Sequence, residues 1–284
     1  MANTQASLQL SPSPAPSLVV QQHARALPGW LSRTIAAVEI VFVCGIPTQL
    51  LVAIGLIFFV QMPIMVDNHL SLEFLALVSL LDTALIAILM RAFLERSGET
   101  SRSVFLGVRS TRTEIWRGLK FVPVVFAAVT AVVLTLRWLV PSLHTVKESP
   151  FQAYFASPLD TGIILAVVVL AGGVREELQR AFILHRCGQH FGAMGFNVRL
   201  LGRQLFRVNF PTDGRMIGLM LYSPLFAILH YDQGLDVVVA VGLLGLFWGV
   251  TYIKRRSAVT GMVNHACFNA AQVLQAALAK SFGM

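Results

Sequence analysis

Apolar runs of about 15 to 26 residues recur along this 284-residue chain, and all but the shortest are long enough to cross the hydrocarbon core of a bilayer. Hydrophobic residues make up 56% of the chain and charged residues only 13%, with a mean hydropathy of +0.70, which excludes an ordinary soluble domain. The runs lie at 35–60, 72–94, 121–140, 160–184, 216–230, 235–253 and 259–278. We therefore predict an all-α fold, a polytopic membrane bundle of about seven to eight transmembrane helices.

Basic residues lie between the apolar runs, with seven in 91–120, others in 186–215 and a Lys-Arg-Arg triplet at 254–256. Because basic loops stay on the cytoplasmic side, we expect these segments and the N-terminus in the cytoplasm of a multi-pass protein of a bacterial inner (cell) membrane. The loops 61–71 and 141–160, which hold mostly acidic charges, are expected on the opposite face. This clustering accounts for the net charge of +8 without nucleic acid. The partner expected from this composition is membrane lipid.

The chain divides into three segments by composition. Residues 1–33 are rich in Ser, Pro, Gln and Ala and are predicted to form a disordered cytoplasmic tail. Residues 34–145 hold transmembrane helices without a chemical motif. Residues 158–279 hold the remaining helices and every candidate site residue.

Arginines recur at four-residue intervals within the polar stretch 187–207, at Arg199, Arg203 and Arg207. On a helix this spacing places the three guanidinium groups on one face. It predicts either a basic amphipathic helix at the membrane surface or an ordinary cytoplasmic connector.

Four ionisable side chains occur together in R-E-E-L-Q-R, residues 175–180, directly after an apolar run. Charges inside a membrane cost a few kcal/mol or more unless they are paired or face a polar cavity, so such a cluster indicates a functional site. Glu176 and Glu177 point about 100° apart on a helix. Arg180 can pair with either, which leaves one carboxylate ionised and the other able to take a proton.

Two later apolar runs carry histidines. His230 ends one run, and His265 lies four residues before Asn269, so these two share a helix face and offer two hydrogen-bond donors to one point. With the glutamates, they could supply a base, its partner and an oxyanion site, which favours a hydrolase. G-x-S-x-G, H-E-x-x-H and Walker motifs are absent from the sequence.

The three motifs, in this order, resemble those of the CAAX-protease and bacteriocin-processing (CPBP, or Abi) family of intramembrane proteases. Its patterns are E-E-x-x-x-R, F-x-x-x-H and H-x-x-x-N or H-x-x-x-D. The second is intact at Phe226–His230 and the third at His265–Asn269, and the resemblance covers about 160–278. The first departs from the pattern, since only two residues separate the glutamate pair from Arg180. Alignment on the pair puts Glu176 in the catalytic place, whereas alignment on Arg180 puts Arg175 there.

The resemblance implies a CAAX-type peptidase whose expected partner is a membrane-associated peptide or protein substrate, such as a prenylated or leader peptide. It implies that Glu176 activates water, with Glu177 as the possible substitute. His230 assists the base, and His265 with Asn269 holds the oxyanion. Arg180 orients the glutamates.

Our first expectation is that the protein requires no cofactor. Zinc is the alternative, bound by Glu176, His230 and His265 as a His₂Glu set with an open position for water.

Two other functions remain open at this level: a catalytically inactive membrane scaffold or immunity factor of the same fold, and an ion-coupled transporter. The hydrolase hypothesis also requires the side chains of His230 and Glu176 to lie close together. A helix that begins near residue 216 on the cytoplasmic side would carry His230 about 20 Å across the membrane. If His230 lay on the opposite side from Glu176, the hydrolase hypothesis would fail.

Overall fold

A computed structural model describes residues 29–66, 69–146, 150–192, 195–200, 203–209 and 213–282. Residues 1–28 of the predicted tail lie outside the described residues. The described residues form nine α-helices: α1 (Gly29–Val43), α2 (Ile46–Phe59), α3 (Leu72–Arg96), α4 (Thr111–Leu139), α5 (Pro158–Val167), α6 (Glu176–His190), α7 (Gly214–Ile228), α8 (Leu235–Arg255) and α9 (Val259–Ser281). A π-helical segment, 168–175, joins α5 to α6. The prediction of an all-α membrane bundle is confirmed.

Four helical segments are long and apolar enough to span a membrane by themselves, namely α3, α4, the continuous segment Pro158–His190 and α8. The pair α1 and α2, which meets at an angle of 47°, can form a fifth span. The bend lies at Gly45, whose φ of 95° favours glycine, and Pro47 follows in the first turn of α2. Helix α7 is apolar but has only 15 residues. The predicted number of spans is therefore roughly consistent with the structure.

The segment after α6 differs from the prediction. Strands β3 (Gly195–Leu200) and β4 (Arg203–Asn209) pair as an antiparallel hairpin, so the predicted amphipathic helix at 187–207 is wrong. The spacing does not distinguish the two structures, because residues four apart share a face in a strand as well as in a helix. In the structure Arg199 lies on β3, whereas Arg203 and Arg207 lie on β4. A second, shorter hairpin joins β1 (Met65–Val66) to β2 (His69–Leu70).

Helix α9 packs against α4 on one side and against the π-helical segment on the other. The approach is close on both sides. A Cβ at Gly173 would lie 2.5 Å from Ala266 Cα, and a Cβ at Gly118 would lie 2.9 Å from the Thr260 carbonyl oxygen. These two glycines therefore bring α9 into backbone contact with the helices that surround the site.

Buried ion pairs tie the helices together where α1, α3 and α6 meet. Arg186 is almost completely buried, and its guanidinium lies 2.8 Å from Glu39 and 2.7 Å from Glu99. It also donates to the Phe93 carbonyl and to the Ser97 hydroxyl. Pairing of this kind is what allows charges to remain in the interior of an apolar bundle.

Candidate active site

The chain enters the candidate site through the π-helical segment 168–175, which ends directly before Glu176. Its wide turns carry Gly172 and Gly173 against α9. Short π-helical turns inside α-helices frequently occur at functional sites. Here the irregular segment sets the position from which the two glutamates project.

The Glu177 side chain is buried, and both of its carboxylate oxygens contact neighbouring residues. Its Oε1 accepts a hydrogen bond from Arg180 Nη1, three residues later on α6, and lies 3.0 Å from His265 Nδ1 on α9. Its Oε2 lies against Gly261, where an added Cβ would approach to 2.6 Å. The first motif is one residue shorter than the family pattern, but Arg180 still pairs with Glu177, because residues three or four positions apart share a helix face.

Arg180 has no exposed surface and lies among aromatic rings. Its guanidinium carbon is 4.7 Å from the centroid of Phe226, 5.4 Å from that of Trp248 and 5.9 Å from that of Tyr222. Cation–π attraction to these rings adds to the ion pair with Glu177. Of the two glutamates that Arg180 is predicted to orient, it therefore contacts Glu177.

Glu176 lies in a different environment from its neighbour. Its side chain retains 15% of its exposure, Oε1 is 3.6 Å from Arg175 Nη2, and Oε2 is 3.9 Å from His265 Nε2. The buried Oε2 has no hydrogen-bond partner among the described residues. One carboxylate is therefore held in ion pairs while the other keeps an oxygen available.

Arg175 does not occupy the place of a catalytic base. Its Nη1 donates to Asp82 Oδ2 on α3 at 2.6 Å, and Asp82 is completely buried. The geometry therefore supports the alignment on the glutamate pair. We did not single out Asp82 in the sequence, although a lone carboxylate near the middle of an apolar run is a recognisable signal.

His265 is held on three sides. Nδ1 faces Glu177, Nε2 faces Glu176, and the imidazole stacks on the Trp248 indole with centroids 3.7 Å apart and planes 18° apart. Trp248 is itself fixed, because its Nε1 donates to Asn264 Oδ1 at 2.8 Å. Trp248 and Asn264 were also missed, since nothing in their local sequence links them to the three motifs.

Asn269 lies one turn beyond His265 on α9. Its Nδ2 donates to the Val168 carbonyl at 3.2 Å, and a Cβ at Gly172 would lie 2.8 Å from the same nitrogen. Only one of the two amide hydrogens is needed for the bond to Val168. The second is free to donate elsewhere.

His230 follows the end of α7, and its Nδ1 lies 2.9 Å from the Phe226 carbonyl. A carbonyl only accepts, so Nδ1 carries the hydrogen and Nε2 of the neutral ring is an acceptor. Its ring packs against Phe226, which also lies near the His265 ring. His230 and Glu176 line the same cavity, so the separation that the predicted depth suggested does not occur.

That cavity has a volume of about 620 Å³. Glu176, His230, His265 and Asn269 all line it. Glu177 and Arg180 lie behind them as buried support. The structure thus brings the six residues selected from the sequence into one site, four on the wall of the cavity and two beneath it.

The three residues of the zinc alternative, Glu176, His230 and His265, all line the cavity. Among the described residues, no group of three or more His, Cys, Asp or Glu side chains is arranged to hold a metal ion.

Comparison with known proteins identifies one family. Residues 158–271 match the model described as type II CAAX prenyl endopeptidase Rce1-like. The match confirms the resemblance to the CPBP family for the part of the chain that carries the motifs. Neither the curated proteins nor the solved structures include a match. Residues 158–271 are thus similar to a CAAX-type endopeptidase family, and the apolar helices indicate an integral membrane protein.

Proposed function

We propose that this protein is an intramembrane endopeptidase in which Glu176 activates water for attack on a peptide bond. The family match supports a CAAX-type protease at the level of the family. The proposed substrate is a membrane-associated peptide, either prenylated or carrying a leader. The proposed setting is a bacterial inner membrane with a cytoplasmic N-terminus.

One observation carries the assignment of the base, and it is the contrast between the two adjacent carboxylates. Glu177 is paired with Arg180 and His265, which stabilises its charge and leaves it unavailable for proton transfer. Glu176 lies on the cavity wall with a buried oxygen that lacks a partner among the described residues. A general base must reach the proton that it removes, and only Glu176 has that access.

The proposed reaction has two steps. Glu176 takes a proton from water, and the resulting hydroxide forms a bond to the carbonyl carbon of the substrate. The oxyanion receives hydrogen bonds from Asn269 Nδ2 and from His265 when its Nε2 carries a hydrogen. The carbon–nitrogen bond then breaks, and the proton held by Glu176 passes to the departing amine. His230 Nε2 accepts a hydrogen bond from the water and orients it for the first step.

The proposed reaction has no metal step. Treatment with a metal chelator should leave cleavage intact. Loss of cleavage that returns on adding Zn²⁺ would contradict this part of the proposal.

The decisive experiment compares new peptide termini in membranes that contain the wild-type protein, Glu176→Gln or Glu95→Gln at matched expression. Glu95 is an exposed glutamate on α3 whose side chain pairs, among the described residues, with Arg91 alone, so its variant controls for the substitution itself. Termini should appear with the wild type and Glu95→Gln and vanish with Glu176→Gln. Termini that persist with Glu176→Gln would exclude this residue as the base. Their absence in every sample with a substrate present would favour the inactive homologue.

A further inference from the structure

Arg175 lies between two carboxylates and contacts them unequally. Its Nη1 donates to Asp82 Oδ2 at 2.6 Å, a short charge-assisted hydrogen bond. Its Nη2 lies 3.6 Å from Glu176 Oε1, which is too long for a hydrogen bond. Its Nε has no hydrogen-bond partner among the described residues. Arg175 therefore bonds to Asp82 and keeps unused donors beside Glu176.

Burial explains why the guanidinium is bonded to Asp82. The Asp82 side chain comes from the middle of α3, 93 positions before Arg175, and has no exposed surface. Glu176 retains 15% of its side-chain exposure and lines the cavity. A carboxylate that is cut off from solvent loses more by being left unpaired than one beside a cavity. The deeper acid therefore holds the shared arginine more strongly.

The position of Arg175 determines which oxygen of Glu176 remains available. Arg175 faces Oε1, whereas Oε2 lies 3.9 Å from His265 Nε2 and has no hydrogen-bond partner among the described residues. A positive charge at 3.6 Å still attracts the carboxylate, because Coulomb attraction falls only with the inverse of the distance. Arg175 can therefore orient the carboxylate without occupying Oε2.

Released from Asp82, Arg175 could bind Glu176 much more tightly. A guanidinium presents its donors as a planar fork that matches both oxygens of a carboxylate. Arg175 directly precedes Glu176 and lines the same cavity, so the two side chains already lie near each other. Bidentate binding would engage Oε2 as well as Oε1. It would tie the proposed base into an ion pair, as Arg180 does with Glu177.

We infer that Asp82 is a positioning residue, which holds the Arg175 guanidinium back from Glu176 and so keeps Oε2 free. The catalytic use of Oε2 rests on the proposed function. The competition between Asp82 and Glu176 for one guanidinium does not, because it follows from the distances and the burial of the two acids.

Chemical modification of Glu176 tests the arrangement without a substrate. Dicyclohexylcarbodiimide is a small apolar reagent that modifies carboxyl groups and reacts slowly with one that is tied into an ion pair. The full-length protein in detergent is treated at one fixed pH, and tandem mass spectrometry follows the adduct on Glu176 with time. Asp82→Asn should slow this modification about tenfold, because the released guanidinium forms a bidentate pair. Arg175→Gln should make it faster than in the wild type.

The direction of the Asp82→Asn effect separates positioning from support of the fold. If Asp82 only held the bundle together, its loss would loosen the packing and leave the modification of Glu176 unchanged or faster. Either result would overturn the inference. Glu39→Gln is the matched control, since this buried acid also pairs with an arginine, Arg186, at 2.8 Å, but is not among the residues that line the cavity. The control should react as the wild type does, and an equal slowing in it would also overturn the inference.

A double variant keeps the test decisive if Asp82→Asn does not fold. Asp82→Asn combined with Arg175→Gln removes both charges of the buried pair, which is tolerated better than removing one. The double variant should be modified at the same rate as Arg175→Gln alone, because Asp82 acts on Glu176 only through the guanidinium. A different rate in the double variant would contradict the inference.

Kinetics connect the positioning to the proposed function. On the peptide bond that the comparison of termini identifies, Asp82→Asn should lower kcat about tenfold or more, a part of the roughly 10²–10⁴-fold that a general base contributes, and leave KM nearly unchanged. The double variant should recover part of the lost kcat. A wild type without proteolysis, together with slower modification in Asp82→Asn, would refute the proposed function and leave the positioning in place. Proteolysis in the wild type, together with unchanged modification in Asp82→Asn, would do the reverse.

Discussion

Glu177 and His265 lie 88 positions apart in sequence, and Oε1 of the first is 3.0 Å from Nδ1 of the second. Because a carboxylate only accepts, Nδ1 carries the hydrogen of this bond, which fixes the orientation of the imidazole. Nε2 is thereby directed toward Glu176, 3.9 Å away. The second glutamate thus positions the histidine that faces the first, and the two carboxylates of one dipeptide lie in different environments.

Glu177→Gln should destabilise the protein far more than Glu176→Gln. The substitution leaves the buried Arg180 guanidinium without its counter-charge, and breaking a buried pair in this way costs about 3–5 kcal/mol. Glu176 makes no hydrogen bond of comparable quality, so its substitution should change the unfolding free energy by only about 0.5 kcal/mol. Thermal unfolding of both purified variants in detergent measures the difference. Equal midpoints would contradict the structural role assigned to Glu177.

Asn269→Ala should lower kcat by about 10²–10³-fold with little change in KM, because an oxyanion donor acts mainly in the transition state. Gln272→Ala is the matched control, since this exposed amide lies on the same face of α9, one turn further along the cavity. The control should keep nearly full kcat. A loss confined to KM in the Asn269 variant would assign this residue to substrate binding.

Gly172→Ala should impair cleavage although it adds only one methyl group. The new Cβ would lie 2.8 Å from Asn269 Nδ2, so the amide must move from its place beside the Val168 carbonyl. Gly162→Ala is the control within the same span, because nothing lies within 4 Å of its Cβ position. That substitution should stabilise helix α5 by about 0.5–1 kcal/mol and leave kcat unchanged. If Gly172→Ala had the same kcat as Gly162→Ala, the close approach would have no catalytic consequence.

Acid should weaken the ion network around Arg186. Burial alone would raise the pKa of Glu99, but the hydrogen bond and charge of His185, together with Arg186, hold it below its ordinary value of 4.5. A lowered folded-state pKa contributes stability above 4.5, and that contribution is lost as the pH falls through the folded value. As the pH is lowered from 5, the temperature of the unfolding midpoint should therefore fall. The fall should be complete once the pH is below the folded-state pKa of Glu99.

Glu99→Gln provides the comparison for this pH effect. Its midpoint should already be lower at neutral pH, and it should fall less on acidification than that of the wild type. Parallel acid profiles for the two proteins would show that Glu99 does not contribute to the pH dependence.

The sequence by itself determined that the chain is a membrane bundle and which residues form its candidate site. Apolar runs long enough to span a bilayer are a property of composition, and a charged cluster in such a run is a local signal. The spacing of His265 and Asn269 also placed them on one helix face, as the structure has them. Local periodicity failed at 195–209, where one spacing suits both a helix and a strand.

Only the tertiary structure decided which glutamate Arg180 holds, since both lie within one turn of it. It also brought Asp82 to Arg175 and Trp248 to His265. The physical reason is the same in each case. Spacing along a helix determines which side chains share a face, whereas the partner that neutralises a buried charge comes from another helix, distant in sequence.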